Sequence, residues 1–223
     1  MGQSRLAVVI PAFREERTIG DIVRRALNYA DVIVIDDNSD DETGKRASEA
    51  GAKVVKNESN LGYDGTLSAG FEEASRAGYT HVVTMDADGE HAPELLARFK
   101  EMLIDRQVPL VLGIRPRKQR LAESVMGLAI RARFGVYDIL CGMKGYDLIL
   151  WKLNRGFDHD EGIGTELAIN ALKAGVPFEQ VAVHGTPRQD APRFDRRIKA
   201  NIRILRALLR TLTSRRNPLR ESL

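Results

Sequence analysis

The sequence predicts an α/β fold in which an open, mostly parallel sheet carries helices on both faces, followed by a basic amphipathic helix at the C-terminus. Short apolar runs alternate with amphipathic stretches through residue 112, and polar loops follow several of these runs. These two observations predict the sheet. A third observation, the crowding of basic residues after residue 192, predicts the separate helix. We expect one domain over residues 1–190 and the basic helix or tail over 191–223.

The regularity of the first half carries the strand and helix predictions. Apolar runs typical of buried parallel strands lie at 6–10, 32–35, 52–55, 81–85 and 109–112. Helices are predicted between and after them, at 16–29, 41–50, 61–77 and 93–104. The alternation is weaker in the second half, where we expect helices at 121–134 and 165–174 and a strand at 178–183.

The composition excludes several classes of protein. Of the 223 residues, 43% are hydrophobic and 29% are charged, which is enough to bury a core and too apolar for general disorder. The single cysteine, Cys141, excludes an internal disulfide framework and a zinc site built on several thiolates. No apolar run reaches the ~18 residues of a membrane span, and the N-terminus does not resemble a signal peptide. We therefore expect a cytoplasmic protein, with peripheral contact to the cytoplasmic membrane face left open.

The charge is distributed unevenly along the chain. From Arg193 onward, ten basic residues face two acidic ones, so the tail carries a net charge of about +8 and residues 1–192 about −5. Apolar side chains recur at helical spacing among these basic residues. One interpretation is docking on an anionic membrane surface through residues 193–214. The other is packing on the domain or on a second subunit, which leaves a homo-oligomer open. We expect no nucleic-acid partner, because the body is acidic and the tail has no aromatic platform.

Three polar clusters follow predicted strands, at 11–16, 36–40 and 86–91. Parallel strands bring all three to one edge of the sheet, which is where open α/β sheets bind ligands. Each cluster alone could be a solvated loop with helix caps. Together, however, their carboxylates repel one another, and this repulsion indicates a cation or a donor-rich ligand.

The spacing of the acidic residues indicates which ligand. Asp86 and Asp88 lie two apart in a turn, an arrangement that suits Mg²⁺ or Mn²⁺, and Glu90 could add a third oxygen. Asp36 and Asp37 could accept hydrogen bonds from a ribose or a base. No glycine-rich phosphate loop of either common type is present, which argues against dinucleotide enzymes and P-loop NTPases. The clusters therefore predict a nucleotide diphosphate bound through a divalent metal.

Three segments lie at the ends of predicted strands: VIPAFREE at 9–16, VIDDNSDDET at 34–43 and DADGEHAPE at 86–94. They resemble glycosyltransferase family 2, and within it the dolichol-phosphate mannosyltransferase and polyprenyl-phosphate glycosyltransferase branch. Further matches lie at 60–62, 113–115 and 138–144, where DILCGMK stands for the pattern D-x-x-S-G-F-R. The resemblance runs from residue 8 to about residue 190. It departs from the pattern at Glu90, where the branch has glutamine, and at Cys141, Met143 and Lys144.

This resemblance implies the GT-A fold, a Rossmann-type sheet, with a nucleotide-sugar donor and a divalent metal. It implies that the metal and diphosphate contact Asp86 and Asp88, and that Arg115 meets the acceptor phosphate. The implied nucleotide-sugar site comprises Pro11, Ala12, Phe13, Glu15, Asp36, Asp37, Asp86, Ala87 and Asp88. Further acceptor contacts are expected from Arg117, in a basic run, and from Arg188 and Arg193, which loosely match the branch's basic acceptor segment.

The reaction we expect is inverting transfer of a hexose from a GDP-mannose or UDP-glucose type donor to a polyprenyl phosphate of the dolichyl type. Such a phosphate is already ionised, whereas a hydroxyl acceptor would need a general base, for which Glu166 is the candidate. With Asp88 and Arg115, Glu166 completes the predicted catalytic set. Two alternatives stay open: a soluble or glycan hydroxyl acceptor, and a non-catalytic module that binds nucleotide sugars.

Overall fold

The computed structural model describes residues 4–115, 121–156, 164–184, 213 and 217–222. The strands among these residues form a single seven-stranded sheet. The strands, in the order they occupy in the sheet, are β3 (Lys53–Lys56), β2 (Asp31–Asp36), β1 (Leu6–Ala12), β4 (His81–Thr84), β6 (Lys144–Asp147), β5 (Leu110–Ile114) and β7 (Phe178–Ala182). Within the described residues, β6 alone runs antiparallel to its neighbours β4 and β5. The predicted open, mostly parallel sheet is confirmed.

The helices cover both faces of this sheet. They are α1 (Ile19–Ala26), α2 (Thr43–Glu49), α3 (Gly62–Arg76), α4 (Leu96–Lys100), α5 (Leu121–Phe134), α6 (Leu148–Asn154), α7 (Glu166–Lys173) and α8 (Pro218–Ser222). The helix predicted at 93–104 is divided into a 3-10 turn at Pro93–Leu95, α4, and a π turn at Glu101–Asp105. Helix α1 is shorter than the predicted 16–29. It begins only at Ile19, because the polar residues before it form a turn, and it ends at Ala26.

The alternation of side chains along β1 divides the core into two layers. Ala7 and Val9 face one layer, which is completed by α3, α6 and α7. Val8 and Ile10 face the other layer, which is completed by α1, α2 and α4. All four side chains are fully buried. A strand buried on both faces needs a continuous apolar run, and this requirement explains why the sequence predicts β1 and β2 so clearly.

The strand β6 and the helix α6 were not predicted from the sequence. The strand has the sequence KGYD, with a lysine and an aspartate flanking Gly145 and Tyr146, so no apolar run marks it. Its position between β4 and β5 buries Lys144 and Tyr146 nevertheless. Helix α6 begins at once, because the Asp147 carboxylate accepts a hydrogen bond from the Ile149 backbone N–H (2.8 Å).

The end of the chain returns to the domain. In α8, Leu219 is fully buried against the layer that contains α6 and α7. The Asn217 amide donates to the backbone carbonyl of Asn170 (3.0 Å), and the Asn170 amide donates to the Asn154 side-chain oxygen (3.0 Å). The predicted amphipathic stretch at 193–212 lies outside the described residues, and the proposed boundary at residue 190 stays a prediction.

Candidate active site

A cleft of about 750 Å³ opens at the carboxyl ends of β1, β2 and β4, at the edge where the sequence predicts the site. Its acidic lining comprises Glu15, Asp37, Asp86, Asp88 and Glu90. Its basic lining comprises Arg14, Arg115 and Lys144. Pro11, Ala12, Phe13, Ala87, Tyr63 and His91 also contribute to its walls. Most of the predicted nucleotide-sugar residues therefore lie together around one cleft.

The loop after β1 is fixed to the loop after β2. Arg14 adopts a left-handed backbone conformation (φ 58°), and its guanidinium donates to both carboxylate oxygens of Asp40, each at 2.7 Å. The Glu15 backbone N–H donates to the Thr43 hydroxyl (2.8 Å). These contacts order the Phe13–Glu15 wall of the cleft before any ligand arrives.

The two aspartates after β2 have different surroundings. Asp37 lines the cleft, and its carboxylate accepts from the backbone N–H groups of Leu61 (2.8 Å) and Gly62 (2.9 Å), so it also fixes the start of α3. Asp36 is buried and does not line the cleft. Its implied direct contact with the nucleotide would require its carboxylate to face the cleft. Instead, the Asp36 carboxylate accepts from the Ser39 N–H (2.9 Å) and lies against Gly44. In this conformation Asp36 orders the loop, and its predicted direct contact with the nucleotide stays a prediction.

The Asp86–Asp88 turn is held by its neighbours. The Tyr63 hydroxyl donates to Asp86 Oδ1 (3.1 Å), and the Asp86 backbone N–H donates to Nδ1 of the buried His91 (3.3 Å). The Thr18 hydroxyl donates to the Ala87 carbonyl (2.6 Å). Desolvation around the hydroxyl, followed by the Asp86 carboxylate, raises the pKa of Tyr63 above its ordinary value, although 37% of the whole residue is exposed. A phenol is protonated at neutral pH in any case, so the hydroxyl is a hydrogen-bond donor to Asp86.

The predicted metal ligands are Asp86, Asp88 and Glu90. In the part of the chain that the structure describes, no group of three His, Cys, Asp or Glu side chains is already gathered around a common point. Asp88 Oδ1 accepts from the Glu90 N–H (3.0 Å), and both side chains line the cleft with Asp86. These are oxygen donors only, the chemistry that Mg²⁺ and Mn²⁺ prefer, and both ions commonly take further ligands from substrate phosphates. The donor set therefore fits a metal whose coordination is completed by the substrate.

Two cations, Arg115 and Lys144, line the same cleft. Arg115 makes a two-pronged ion pair with the buried Asp138, with Nε to Oδ2 at 2.7 Å and Nη2 to Oδ1 at 3.0 Å. Burial alone would raise the pKa of Asp138, but the bonds from Arg115 outweigh it, and the pKa lies below its ordinary value. Lys144 is buried and donates to the Gly164 carbonyl (3.2 Å), and this burial lowers its pKa. The sequence interpretation did not select Lys144, although it lies in the segment 138–144 that supports the resemblance.

Glu166, the predicted general base, does not line the cleft. It is buried in the first turn of α7. The predicted acceptor residues Arg117, Arg188 and Arg193 lie outside the described residues. Cys141 is buried, and burial raises its pKa to about 11, which is typical of a cysteine that packs as a small apolar group. Tyr63 and His91 carry contacts to Asp86 that only the structure reveals.

The sequence model of the family described as Glycosyl transferase family 2 matches residues 7–126, more than half of the chain. The chain belongs to glycosyl transferase family 2. The match includes β1 to β5 and every predicted residue from Pro11 to Arg115, and the predicted enzyme class, a glycosyltransferase, is confirmed.

Two relatives of this family 2 glycosyltransferase are similar over much of their length. The polyprenol monophosphomannose synthase of Mycolicibacterium smegmatis is 29% identical over 209 residues, covering 83% of this chain and 78% of that protein. The undecaprenyl-phosphate mannosyltransferase of Micrococcus luteus is 36% identical over 163 residues, covering 64% of this chain and 66% of that protein.

A solved structure with a similar fold is glucosyl-3-phosphoglycerate synthase from Mycobacterium tuberculosis, in complex with Mn²⁺, uridine diphosphate and phosphoglyceric acid. The TM-score is 0.78 at 23% identity, over 94% of this chain and 79% of that chain. The likeness confirms the predicted GT-A fold. Among the described helices of the family 2 glycosyltransferase, none is long and apolar enough to cross a membrane.

Proposed function

We propose that this glycosyltransferase uses Mg²⁺ or Mn²⁺ to transfer a hexose, with inversion, from a nucleotide-diphosphate sugar to a polyprenyl phosphate. The observation that carries the proposal is the cleft itself, which the Asp86–Asp88 turn lines together with Arg115 and Lys144 at the carboxyl edge of the sheet. The relatives named as polyprenol and undecaprenyl-phosphate mannosyltransferases support the lipid acceptor. The similar structure that holds Mn²⁺ and uridine diphosphate supports the donor class and the metal.

The donor would lie along the acidic wall. The base and ribose would contact Pro11, Ala12, Phe13 and Glu15, with Asp37 beside them, because these residues line the cleft. The Arg14–Asp40 pair fixes this part of the lining to the loop after β2. Asp36 would support that wall from below. Asp86, Ala87 and Asp88 would meet the diphosphate and sugar. The donor is of the GDP-mannose or UDP-glucose type.

Asp86 and Asp88 would hold the divalent cation, with Glu90 adding an oxygen directly or through water. When bound, the metal acts as a Lewis acid that stabilises negative charge on the leaving diphosphate. Lys144 is placed to assist from the protein side, because it lines the same cleft and the Asp86 carboxylate favours its charged form against the burial that lowers its pKa. We therefore propose that Lys144 acts together with Asp88 and Arg115 on the reacting groups. From the sequence alone, Lys144 is only a departure from the family pattern.

The position of Glu166 favours a phosphate acceptor over a hydroxyl acceptor. A hydroxyl needs a base within hydrogen-bond reach, and Glu166 lies outside the lining of the cleft. An acceptor phosphate is already ionised at neutral pH and needs orientation and charge neutralisation, which Arg115 can supply while Asp138 fixes its guanidinium. Arg117, Arg188 and Arg193 are proposed as further acceptor contacts on the strength of the sequence alone.

A soluble hydroxyl acceptor is the second candidate, favoured by the phosphoglyceric acid in the similar structure. A single assay separates the two. The full chain is incubated with Mn²⁺ and radiolabelled GDP-mannose or UDP-glucose, with either a short-chain polyprenyl phosphate or 3-phosphoglycerate. We expect label in the organic phase with the lipid, and none with an Asp88→Ala variant. Transfer to 3-phosphoglycerate alone would overturn the lipid assignment, and binding of a donor without transfer to either acceptor would favour a non-catalytic binding module.

We also propose that residues 193–214 contact the membrane surface peripherally, since their basic and apolar residues recur at helical spacing. Flotation with vesicles of anionic phospholipid tests this, with neutral phosphatidylcholine vesicles as the control. The full chain is expected to float with the anionic vesicles and not with the neutral ones. Equal flotation by a full-length variant in which Arg203, Arg206 and Arg210 are replaced by glutamine would refute the contact.

A further inference from the structure

Tyr63 occupies a position in the cleft that the proposed function does not explain. It lies in the first turn of α3, its side chain lines the cleft, and 37% of the residue is exposed. Its hydroxyl donates to Asp86 Oδ1 at 3.1 Å. A phenol oxygen is not among the carboxylate, carbonyl and water oxygens that suit Mg²⁺ and Mn²⁺. Instead, it contacts the carboxylate proposed to bind the divalent cation.

The Asp86 carboxylate is confined on its other side as well. Its Oδ2 lies 3.7 Å from His91 Nδ1. The carboxylate also packs directly against Gly142, where a Cβ atom would stand only 2.6 Å from Asp86 Cγ. The hydroxyl of Tyr63 and the bare backbone of Gly142 therefore restrict the carboxylate to one orientation. Each carboxylate oxygen has two lone pairs, so accepting from Tyr63 leaves Asp86 able to bind a cation.

Tyr63 is in turn held in place by its own surroundings. The Asp37 carboxylate fixes the preceding Gly62 N–H, and the Asp64 carboxylate accepts from the Gly164 N–H (2.7 Å). Gly164 has a left-handed conformation (φ 63°), and a Cβ atom there would lie 2.9 Å from Tyr63 Cε1. The ring thus packs against a glycine on one side, while its hydroxyl reaches Asp86. An aromatic ring fixed in this way can hold a carboxylate in place without a loss of side-chain entropy on ligand binding.

We propose that Tyr63 is a positioning residue that holds Asp86 in the orientation a divalent cation needs. This inference rests on the proposed function, in which Asp86 is a metal ligand. Hydrogen bonds that orient a metal ligand typically contribute about 10- to 100-fold to metal affinity. We therefore expect the hydroxyl of Tyr63 to matter for Mn²⁺ binding, and the ring alone to maintain the packing against Gly164.

The test compares Tyr63→Phe with wild type by Mn²⁺ titration in the presence of uridine diphosphate, with free Mn²⁺ measured by electron paramagnetic resonance. We expect binding about 10-fold weaker or more in the variant, with an unchanged melting temperature in the absence of ligand. The matched control is Tyr79→Phe, because the Tyr79 hydroxyl also donates to an aspartate, Asp31, at 2.9 Å, and neither residue lines the cleft. The control should bind Mn²⁺ like wild type.

A second measurement separates weakened metal binding from general damage. If Tyr63 acts through Asp86 and the cation, excess Mn²⁺ should restore the transfer rate of Tyr63→Phe toward that of wild type. Wild-type Mn²⁺ affinity in Tyr63→Phe would overturn the inference and leave the proposed function intact. A transfer rate that excess Mn²⁺ cannot restore would have the same two consequences. Failure of the wild-type protein to bind Mn²⁺ would overturn the proposed metal site, and this inference with it.

Discussion

Replacing Gly142 with alanine tests whether the position of the Asp86 carboxylate controls turnover. Gly142 lies directly against that carboxylate, and an added Cβ would stand 2.6 Å from Asp86 Cγ, whereas ordinary contact begins at 3.4 Å. The carboxylate would therefore have to move by at least about 0.8 Å, the difference between these two distances, because its Oδ2 stands closer still to the added Cβ. A misplacement of about 1 Å in a catalytic site can lower the rate roughly 10²-fold. We expect kcat/KM for sugar transfer to fall by about two orders of magnitude.

The assay is donor-dependent transfer by Gly142→Ala at saturating Mn²⁺, with thermal unfolding measured in parallel. Gly20→Ala is the matched control, because its Cβ would meet no atom closer than 3.5 Å and Gly20 lies in helix α1. The control should retain wild-type activity, and should be slightly more stable because alanine is the better helix former. Near-normal kcat/KM in a folded Gly142→Ala protein would refute the reasoning that the position of Asp86 limits the reaction.

Three further predictions concern stability. The folded-state pKa of Asp138 is lowered from 3.8, so the Arg115–Asp138 pair contributes fully above that value and its contribution is lost as pH falls through the lower folded value. Asp138→Asn should lower the free energy of unfolding, measured in urea at pH 7, by about 3 kcal/mol. It should also remove the loss of stability that protonation of Asp138 causes at low pH. Stability equal to that of wild type at pH 7 would contradict the role of the pair. Leu219→Ala should lower the free energy of unfolding by about 2–5 kcal/mol if α8 is packed as described, and an exposed helix would give almost no change. Asp37→Ala removes the acceptor of two backbone N–H groups at the start of α3, so we expect the free energy of unfolding to fall by about 2 kcal/mol or more. We also expect the variant to lose the thermal shift caused by uridine diphosphate, and an unchanged shift would argue against Asp37 at the nucleotide.

Several parts of the fold and the site were predictable because the signals are local. The run from Leu6 to Ile10 could form only a strand buried on both faces, and polar residues follow it directly. The carboxyl ends of parallel strands meet at one edge, so the sequence predicts that the turn at Asp86 lies beside the loop at Glu15. The cleft brings these residues together.

The strand β6 shows where such reasoning ends. Its sequence contains a lysine, a glycine and an aspartate, and it becomes a strand because β4 and β5 supply hydrogen-bond partners on both sides. Propensity and hydrophobic pattern cannot report a partner that lies 60 residues away in the sequence. The same is true of Lys144, whose burial follows from the position of β6 in the sheet and not from its neighbours in the chain.

The sequence alone determined the class of fold, the edge of the sheet at which the cleft opens and the acidic loops that lie there, because each depends on short-range periodicity and on the rule that parallel strands end together. Only the tertiary structure decided which of those acids face the cleft. Asp36 and Asp37 are adjacent in the chain, yet one carboxylate turns into its own loop and the other lines the cleft. Glu166 lies outside the cleft, while Tyr63 holds Asp86. The direction of a side chain depends on distant packing and hydrogen-bond partners, and these are formed when the chain folds.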